Sequence, residues 1–204
     1  MKEGDKMKNK TRDNEMDVVF LLDRSGSMSG IEKDTIGGYN SYIDSQRGKN
    51  VKVTTILFDD KYEVLHNRED VDNIKKLTNK EYYVRGCTAL LDAIGKTIRE
   101  MEDKNPNKVI FIITTDGYEN ASTKYNKSQI KELISVHKDW KFMYIGADID
   151  SYSEGRSLGI KDEFIANYKK TDRGISKLYN ALTTASKLFY EEEKIDESWK
   201  NELE

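Results

Sequence analysis

Four apolar runs, three of them followed directly by aspartate or glycine and one of them less apolar than the rest, constrain the fold more than any other feature of the chain. The runs are residues 18–22, 51–58, 109–113 and 140–145. Apolar runs of this length are typical of strands buried on both faces, as in parallel sheets. The first run ends in Asp23, and the third leads into Thr114-Thr115-Asp116-Gly117. The sequence therefore predicts a parallel sheet with acidic residues at the carboxyl ends of its strands.

Amphipathic helical patterns alternate with these runs. Apolar residues recur every three or four positions, the spacing of an amphipathic helix, over residues 36–43, 90–101, 130–137 and 175–189. Residues 62–65 follow the second run too closely for a crossover and are predicted to pair with it as an antiparallel arm. Residues 164–168 are predicted as a last edge strand. We expect an α/β fold: a doubly wound, mainly parallel six-stranded sheet with one short antiparallel edge strand and helices on both faces.

Length and charge limit the number of domains and the kinds of partner. The 204 residues suit one domain at 16–190, with a flexible polar arm at 1–15 and an acidic extension of the last helix at 191–204. The net charge of −3, from 34 basic and 37 acidic residues, favours neither nucleic acid nor an anionic membrane as a partner.

A single cysteine, Cys87, and the lack of a secretory signal or long apolar segment predict a cytoplasmic protein. A single proline with abundant Lys, Asn and Ile points to a bacterial or phage source.

Oxygen-bearing side chains lie in three segments that the predicted sheet brings to one edge. Asp23-Arg24-Ser25-Gly26-Ser27 follows the first strand, Thr88 precedes a helix, and Asp116 follows the third apolar run. Ligands bind outside the carboxyl ends of strands in doubly wound sheets. An all-oxygen donor set suits a hard cation such as Mg²⁺, whereas zinc favours Cys or His. The alternative interpretation is a coincidental group of cap and turn residues.

These residues resemble the metal ion-dependent adhesion site (MIDAS) of von Willebrand factor type A (VWA) domains. The pattern is Asp-x-Ser-x-Ser, a Thr some sixty residues later, and an Asp-Gly after an apolar strand. All five positions are present, so the resemblance implies an intact site formed by Asp23, Ser25, Ser27, Thr88 and Asp116. It covers roughly residues 16–190 and is greatest for stand-alone bacterial and phage members. Many relatives have a glycine where this chain has Cys87, which we expect to be a small, partly buried residue.

The resemblance implies a Rossmann-like fold and a binding mechanism. The hydroxyls of Ser25, Ser27 and Thr88 would bind Mg²⁺ (alternatively Mn²⁺ or Ca²⁺) directly. Asp23 and Asp116 would act partly or wholly through bridging water. A cation bound mainly by neutral oxygens keeps much of its charge and attracts a carboxylate, so the implied partner is a protein that presents Glu or Asp.

Six further residues are predicted to form a rim around the ligand: Arg24, Asp59, Asp60, Tyr118, Glu119 and Asp148. Arg24 is expected to point outward, where it would guide an acidic partner or simply be exposed. The acidic members would tune the choice of partner, or else they are solvated loop charges. One of Tyr118, Glu119 and the adjacent Asn120 would help to shape the ligand groove, although Glu119 is equally consistent with an exposed loop acid.

Three functions remain open at this point. The first is a metal-dependent protein-binding module without catalytic residues. The second is a metal-dependent phosphohydrolase with Asp23 as nucleophile, although no general base and no phosphate-binding Gly-rich segment accompanies it. The third is a metal that only stabilises the fold. The sequence favours the binding module over an enzyme.

Overall fold

Strands and helices alternate along residues 15–192 and 194–203, the part of the chain that the computed structural model describes. The strands are β1 Met16–Asp23, β2 Val51–Phe58, β3 Tyr62–Asp70, β4 Val109–Thr115, β5 Lys141–Gly146 and β6 Ile165–Asn167. The α-helices are α1 Glu32–Gln46, α2 Leu90–Glu102, α3 Lys127–Val136, α4 Ser151–Ser157 and α5 Asp172–Glu192. Among these residues, no helix has both the length and the apolar character needed to cross a membrane.

The strands form one sheet in the order β3-β2-β1-β4-β5-β6. Neighbouring strands are parallel except β2 and β3, which are antiparallel. The predicted fold class is therefore confirmed. The antiparallel strand is longer than residues 62–65, because it continues past register shifts opposite Val53 and Thr55 as far as Asp70.

Two hydrophobic cores lie on the two faces of the sheet. Side chains alternate between the faces along a strand, so Phe20 of β1 packs in one core with α1 and α5, while Leu21 packs in the other with α2 and α3. The rings of Tyr39 and Tyr42 from α1 meet Phe20 edge-to-face at centroid distances of 5.4 and 4.8 Å. Each large apolar side chain buried in this way contributes about 1.5–3 kcal/mol. This packing holds β1 at the centre of the molecule, and its carboxyl end is where the polar loop begins.

The C-terminal segment does not extend the last helix into solvent, as the sequence predicted. Helix α5 ends at Glu192, and Glu197–Lys200 form a separate 3₁₀ turn. Trp199 is 1% exposed, and its Nε1 donates to the carbonyl oxygen of Glu163 at 2.9 Å. The large apolar surface of the indole brings the segment back onto the core, despite its acidic composition. The predicted N-terminal arm lies, apart from Glu15, outside the described residues.

Candidate functional site

The first polar loop leaves β1 at the centre of the sheet. Asp23, the last residue of β1, is fully buried, and its Oδ1 accepts a hydrogen bond from the backbone N–H of Ser25 at 2.7 Å. Residues 26–28 then form a 3₁₀ turn. The N–H of Gly26 donates to the carbonyl oxygen of Gly86 at 3.2 Å. The loop is thus held against the segment that leads into α2.

The second and third segments are bound to each other by hydrogen bonds. The N–H of Thr88, just before α2, donates to Oδ1 of Asn120 at 2.9 Å. In return, the N–H groups of Asn120 and Ala121 donate to the carbonyl oxygen of Thr88. Asp116 directly follows β4. The structure therefore brings the three predicted segments to the carboxyl edge of the sheet.

Five side chains from these segments, which we call the hydroxyl site, converge there: Asp23, Ser25, Ser27, Thr88 and Asp116. The Oγ atoms of Ser25 and Ser27 are 3.1 Å apart, and Ser27 Oγ donates to Asp116 Oδ1 at 2.6 Å. A Cβ atom at Gly117 would lie 3.1 Å from Ser27 Oγ, 3.2 Å from Thr88 Oγ1 and 4.0 Å from Ser25 Oγ. The three hydroxyls therefore surround a small space that the glycine leaves free.

The two carboxylates of the hydroxyl site are held differently. Burial raises the pKa of Asp23 to about 6, although hydrogen bonds from Thr115 and Ser25 oppose the shift; one of them runs from Thr115 Oγ1 to Asp23 Oδ2 at 2.6 Å. Asp116 Oδ2 is buried and accepts no hydrogen bond of good geometry. Lys170 Nζ lies 2.7 Å from it, so this contact is an ion pair.

The hydroxyl site fits a hard divalent cation. Two adjacent ligands of an octahedral Mg²⁺ ion are about 3.0 Å apart if each bond is about 2.1 Å, and the Ser25–Ser27 oxygen separation is 3.1 Å. The buried Asp116 Oδ2 without a hydrogen bond is an acceptor that a cation would satisfy. Among the described residues, no three side chains of His, Cys, Asp or Glu gather as a metal-binding cluster. The oxygen donors of the hydroxyl site are instead two carboxylates and three hydroxyls.

Arg24 does not point outward, and its predicted role in guiding a partner is wrong. Its side chain is fully buried, with Nε 2.9 Å from Asp59 Oδ2 and Nη2 2.7 Å from Glu63 Oε2. Arg85 Nε also lies 2.6 Å from Asp59 Oδ2. We call Arg24, Asp59, Glu63 and Arg85 the arginine cluster. Successive side chains of a strand point to opposite sides, and this places Arg24 away from Asp23.

Asp59 is likewise a structural residue and not part of a rim. It is fully buried. Burial by itself would raise the pKa of Asp59, but hydrogen bonds from Arg85 and from the N–H of Lys61, with the charges of Arg24 and Arg85, outweigh it and lower the pKa. The carboxylate is thus ionised and fully partnered, with little capacity left for a ligand.

Glu119 is neither a groove residue nor a free loop acid. Its Oε2 accepts from the N–H of Leu91 in the first turn of α2 at 2.9 Å, and its Oε1 accepts from the N–H groups of Ala121 and Ser122. A carboxylate at this position satisfies a helix N–H group that lacks a partner within the helix.

The other predicted rim residues, Asp60, Tyr118 and Asp148, are exposed at this edge. Tyr118 is 54% exposed. Cys87 is also exposed, contrary to the expectation that it is partly buried. These side chains are accessible to solvent at the edge that carries the hydroxyl site.

Sequence reasoning did not assign the supporting contacts of four residues around the hydroxyl site, although it considered Asn120 as a residue of the ligand groove. Thr115 and Asn120 bind Asp23 and Thr88 as described above, and Tyr82 OH donates to the backbone oxygen of Asp23 at 2.6 Å. The fourth is Lys170. A hydroxyl directly before Asp116, at the end of an apolar strand, is a signal that pointed to Thr115. No local pattern pointed to Lys170, which is 143 positions from its contact Ser27.

Comparison with known proteins relates this geometry to one family. The family profile described as "von Willebrand factor type A domain" matches residues 18–119, half of the chain. The matched part contains all five residues of the hydroxyl site. No curated protein matches the chain in sequence.

Solved structures share the fold. Proximal thread matrix protein 1 from the mussel byssus, with a zinc-occupied MIDAS motif, has 15% identity and a TM-score of 0.66 over 85% of this chain and 46% of its own. Manganese-loaded TRAP of Plasmodium vivax has 19% identity and a TM-score of 0.59 over 77% and 69%. The vWF domain of the pilus tip protein Mfa5 of Porphyromonas gingivalis has 9% identity and a TM-score of 0.67 over 89% and 98%. The chain thus spans about half the length of the mussel protein.

Proposed function

Because the chain belongs to the von Willebrand factor type A domain family, we propose that it is a protein-binding module that captures a partner's carboxylate through a divalent metal ion. The observation that carries this proposal is the convergence of three neutral hydroxyls with only two carboxylates. A set richer in carboxylates would neutralise the cation and leave it little attraction for an outside anion.

We assign the metal ligands to the hydroxyl site. Ser25, Ser27 and Thr88 would hold the ion directly, and Asp23 and Asp116 would hold it directly or through water. Mg²⁺ suits the oxygen donors best. Mn²⁺, Ca²⁺ and also Zn²⁺, which is bound at the motif of the mussel protein, are the metals to compare with it. The bound ion would supply an open, electrophilic coordination position for a Glu or Asp side chain.

The chain's own residues prepare the site before any metal binds. Hydrogen bonds from the N–H of Ser25 and from Thr115 Oγ1 fix both oxygens of Asp23. Gly117 leaves the space between the hydroxyls open. Little reorganisation is then needed on binding, which favours affinity. The exposed Asp60, Tyr118 and Asp148 would contact the partner around the captured carboxylate.

The phosphohydrolase alternative requires Asp23 to attack a substrate. Asp23 is fully buried, and both of its carboxylate oxygens already accept hydrogen bonds. An engaged, inaccessible carboxylate is a poor nucleophile. These contacts favour the binding module.

Metal-dependent stabilisation is the first test. A metal that binds only the folded state at a hundredfold excess over Kd stabilises it by about 2.7 kcal/mol. We expect Mg²⁺ or Mn²⁺ to raise the Tm and EDTA to reverse the increase. Thr88→Val, which removes one hydroxyl and keeps the shape, should abolish the increase. Thr123→Val, at an exposed threonine, is the matched control and should keep it.

Partner binding separates the binding module from a purely structural metal. Immobilised protein should retain a partner from the native host with Mg²⁺ and release it with EDTA or with an excess of a soluble carboxylate. Thr88→Val should retain nothing, whereas Thr123→Val should behave as the wild type. Retention that persists in EDTA would contradict the proposal. Metal-dependent stabilisation without carboxylate-sensitive retention would favour the structural role.

A further inference from the structure

A lysine from a distant loop occupies one side of the hydroxyl site. Lys170 Nζ lies 2.7 Å from Asp116 Oδ2 and donates to the backbone oxygen of Ser27. The lysine side chain is 23% exposed and that of Asp116 is 1% exposed. A positive charge therefore rests on two oxygens at the edge of the space between the hydroxyls.

Among the described residues, Lys170 is the only basic side chain that forms an ion pair with a carboxylate of the hydroxyl site. Asp23 and Asp116 carry two negative charges when ionised, and Lys170 carries one positive charge. The ammonium also partners an Asp116 oxygen that accepts no hydrogen bond of good geometry. An ammonium group is a single point charge on a flexible stem, whereas a divalent ion brings twice that charge to the same carboxylate.

The loop that carries Lys170 connects two regular elements and is held at both ends by hydrogen bonds. It joins β6 to α5, and it is anchored on one side by Tyr168 N–H donating to Gly146 O at 2.9 Å. On the other side, Thr171 Oγ1 accepts from the N–H of Gly174 in the first turn of α5 at 3.0 Å. A cavity of about 260 Å³ lies beside this loop and is bordered by Tyr168, Gly174 and Leu203.

We propose that Lys170 is an internal cation that competes with the divalent ion for Asp116 and Ser27, so that metal binding releases the loop at residues 169–171. This inference rests on the proposed function, because it requires that the hydroxyl site binds metal. Lys170 then lowers the metal affinity of the free protein.

The first test compares metal affinities by calorimetry with Mg²⁺ and Mn²⁺. Lys170→Met keeps the apolar stem and removes the charge, and we expect it to lower the Kd about tenfold, which corresponds to about 1.4 kcal/mol. Lys169→Met makes the same charge change at an exposed position of the same loop and should leave the Kd unchanged. An unchanged or higher Kd in Lys170→Met would overturn the competition, while metal binding by the wild type would still support the proposed function.

Hydrogen exchange measured by mass spectrometry gives a second readout, and its wild-type arm does not depend on whether the variant folds. In the wild type, saturating Mn²⁺ should speed exchange in a peptide covering residues 168–173. Lys170→Met should exchange fast there without metal and should not respond to it. Unchanged or slower exchange in the metal-bound wild type would overturn the inference. Absence of metal binding in both the wild type and Lys170→Met would overturn the proposed function and the inference together.

Discussion

Asp23 and Arg24 are neighbours in the chain, yet their side chains enter two polar groups of opposite character. The arginine cluster contains two arginines and two acids, and the side chains of its central pair, Arg24 and Asp59, are fully buried. The hydroxyl site contains two acids and three hydroxyls with no basic member of its own. One group is balanced within itself, and the other needs a cation from elsewhere.

The difference separates a polar group whose charges are balanced from the group that we propose to bind metal. Buried charges are tolerated when they are paired and hydrogen-bonded, as in the arginine cluster. In the hydroxyl site, burial raises the pKa of Asp23 to about 6, and Asp116 keeps an oxygen without a good hydrogen bond. Both features destabilise the ionised carboxylates of the metal-free protein, and both lie at the carboxyl edge of the sheet. We expect the free energy of unfolding to depend mainly on the arginine cluster and metal affinity to depend on the hydroxyl site.

Breaking the arginine cluster should have the largest effect on stability. Arg24→Met removes the fully buried partner of Asp59 and Glu63, and loss of one member of a buried pair costs about 3–5 kcal/mol. Because Arg85 still pairs with Asp59, we expect the lower end of this range in urea unfolding. Arg156→Met, which breaks an exposed pair with Asp162, should change stability little. Equal effects of the two variants would contradict the contrast between the groups.

Neutralising Asp23 should change the free energy of unfolding in the opposite direction and stabilise the metal-free protein. Its raised pKa means that ionisation at neutral pH destabilises the metal-free fold, on the order of 2–3 kcal/mol for a shift of about two units. Asp23→Asn should therefore raise the free energy of unfolding in EDTA and should abolish stabilisation by metal. Asp139→Asn, at an exposed position, is the control and should do neither. A less stable Asp23→Asn protein in EDTA would contradict the assigned cost.

The same carboxyl group predicts a dependence on pH. The pKa of Asp23 rises from 3.8 in the unfolded chain to about 6 in the fold, so the folded state binds more protons between these values. The stability of the metal-free protein should consequently fall as the pH rises through that interval, and Asp23→Asn should lack this fall. Metal binding requires the ionised form, so the affinity should drop up to tenfold per unit below about pH 6. Calorimetry in buffers of different ionisation enthalpy would detect the released proton, and an affinity independent of pH would contradict the prediction.

Filling the space between the hydroxyls should have the smallest effect on stability. Gly117→Ala places a methyl group 3.1 Å from Ser27 Oγ and 3.2 Å from Thr88 Oγ1. These neighbours need to move by only a few tenths of an ångström, so we expect a stability change below about 1 kcal/mol with a clear loss of metal affinity. Gly37→Ala, in α1 with open space around it, should keep the affinity and gain up to about 1 kcal/mol. Unaltered metal binding by Gly117→Ala would place the ion elsewhere.

Local patterns predicted most of the elements. The apolar runs correspond to β1, β2, β4 and β5 within two residues at each end, because strands buried on both faces are apolar throughout. Helix α4 was missed, since Ser-Tyr-Ser-Glu-Gly-Arg-Ser carries no apolar stripe. The C-terminal segment was predicted wrongly because its acidic composition concealed the anchoring by Trp199.

The sequence alone determined which oxygen donors follow which strands, since a parallel sheet brings the carboxyl ends of its strands to one edge. It therefore sufficed to place Ser25, Ser27, Thr88 and Asp116 together. Only the tertiary structure decided the partners of the charges between and around them. Arg24 pairs with Asp59, 35 positions away, and Lys170 reaches Asp116 from beyond β6. Such pairing depends on the direction of each side chain and on the positions of distant loops, and the spacing of residues in the sequence predicts neither.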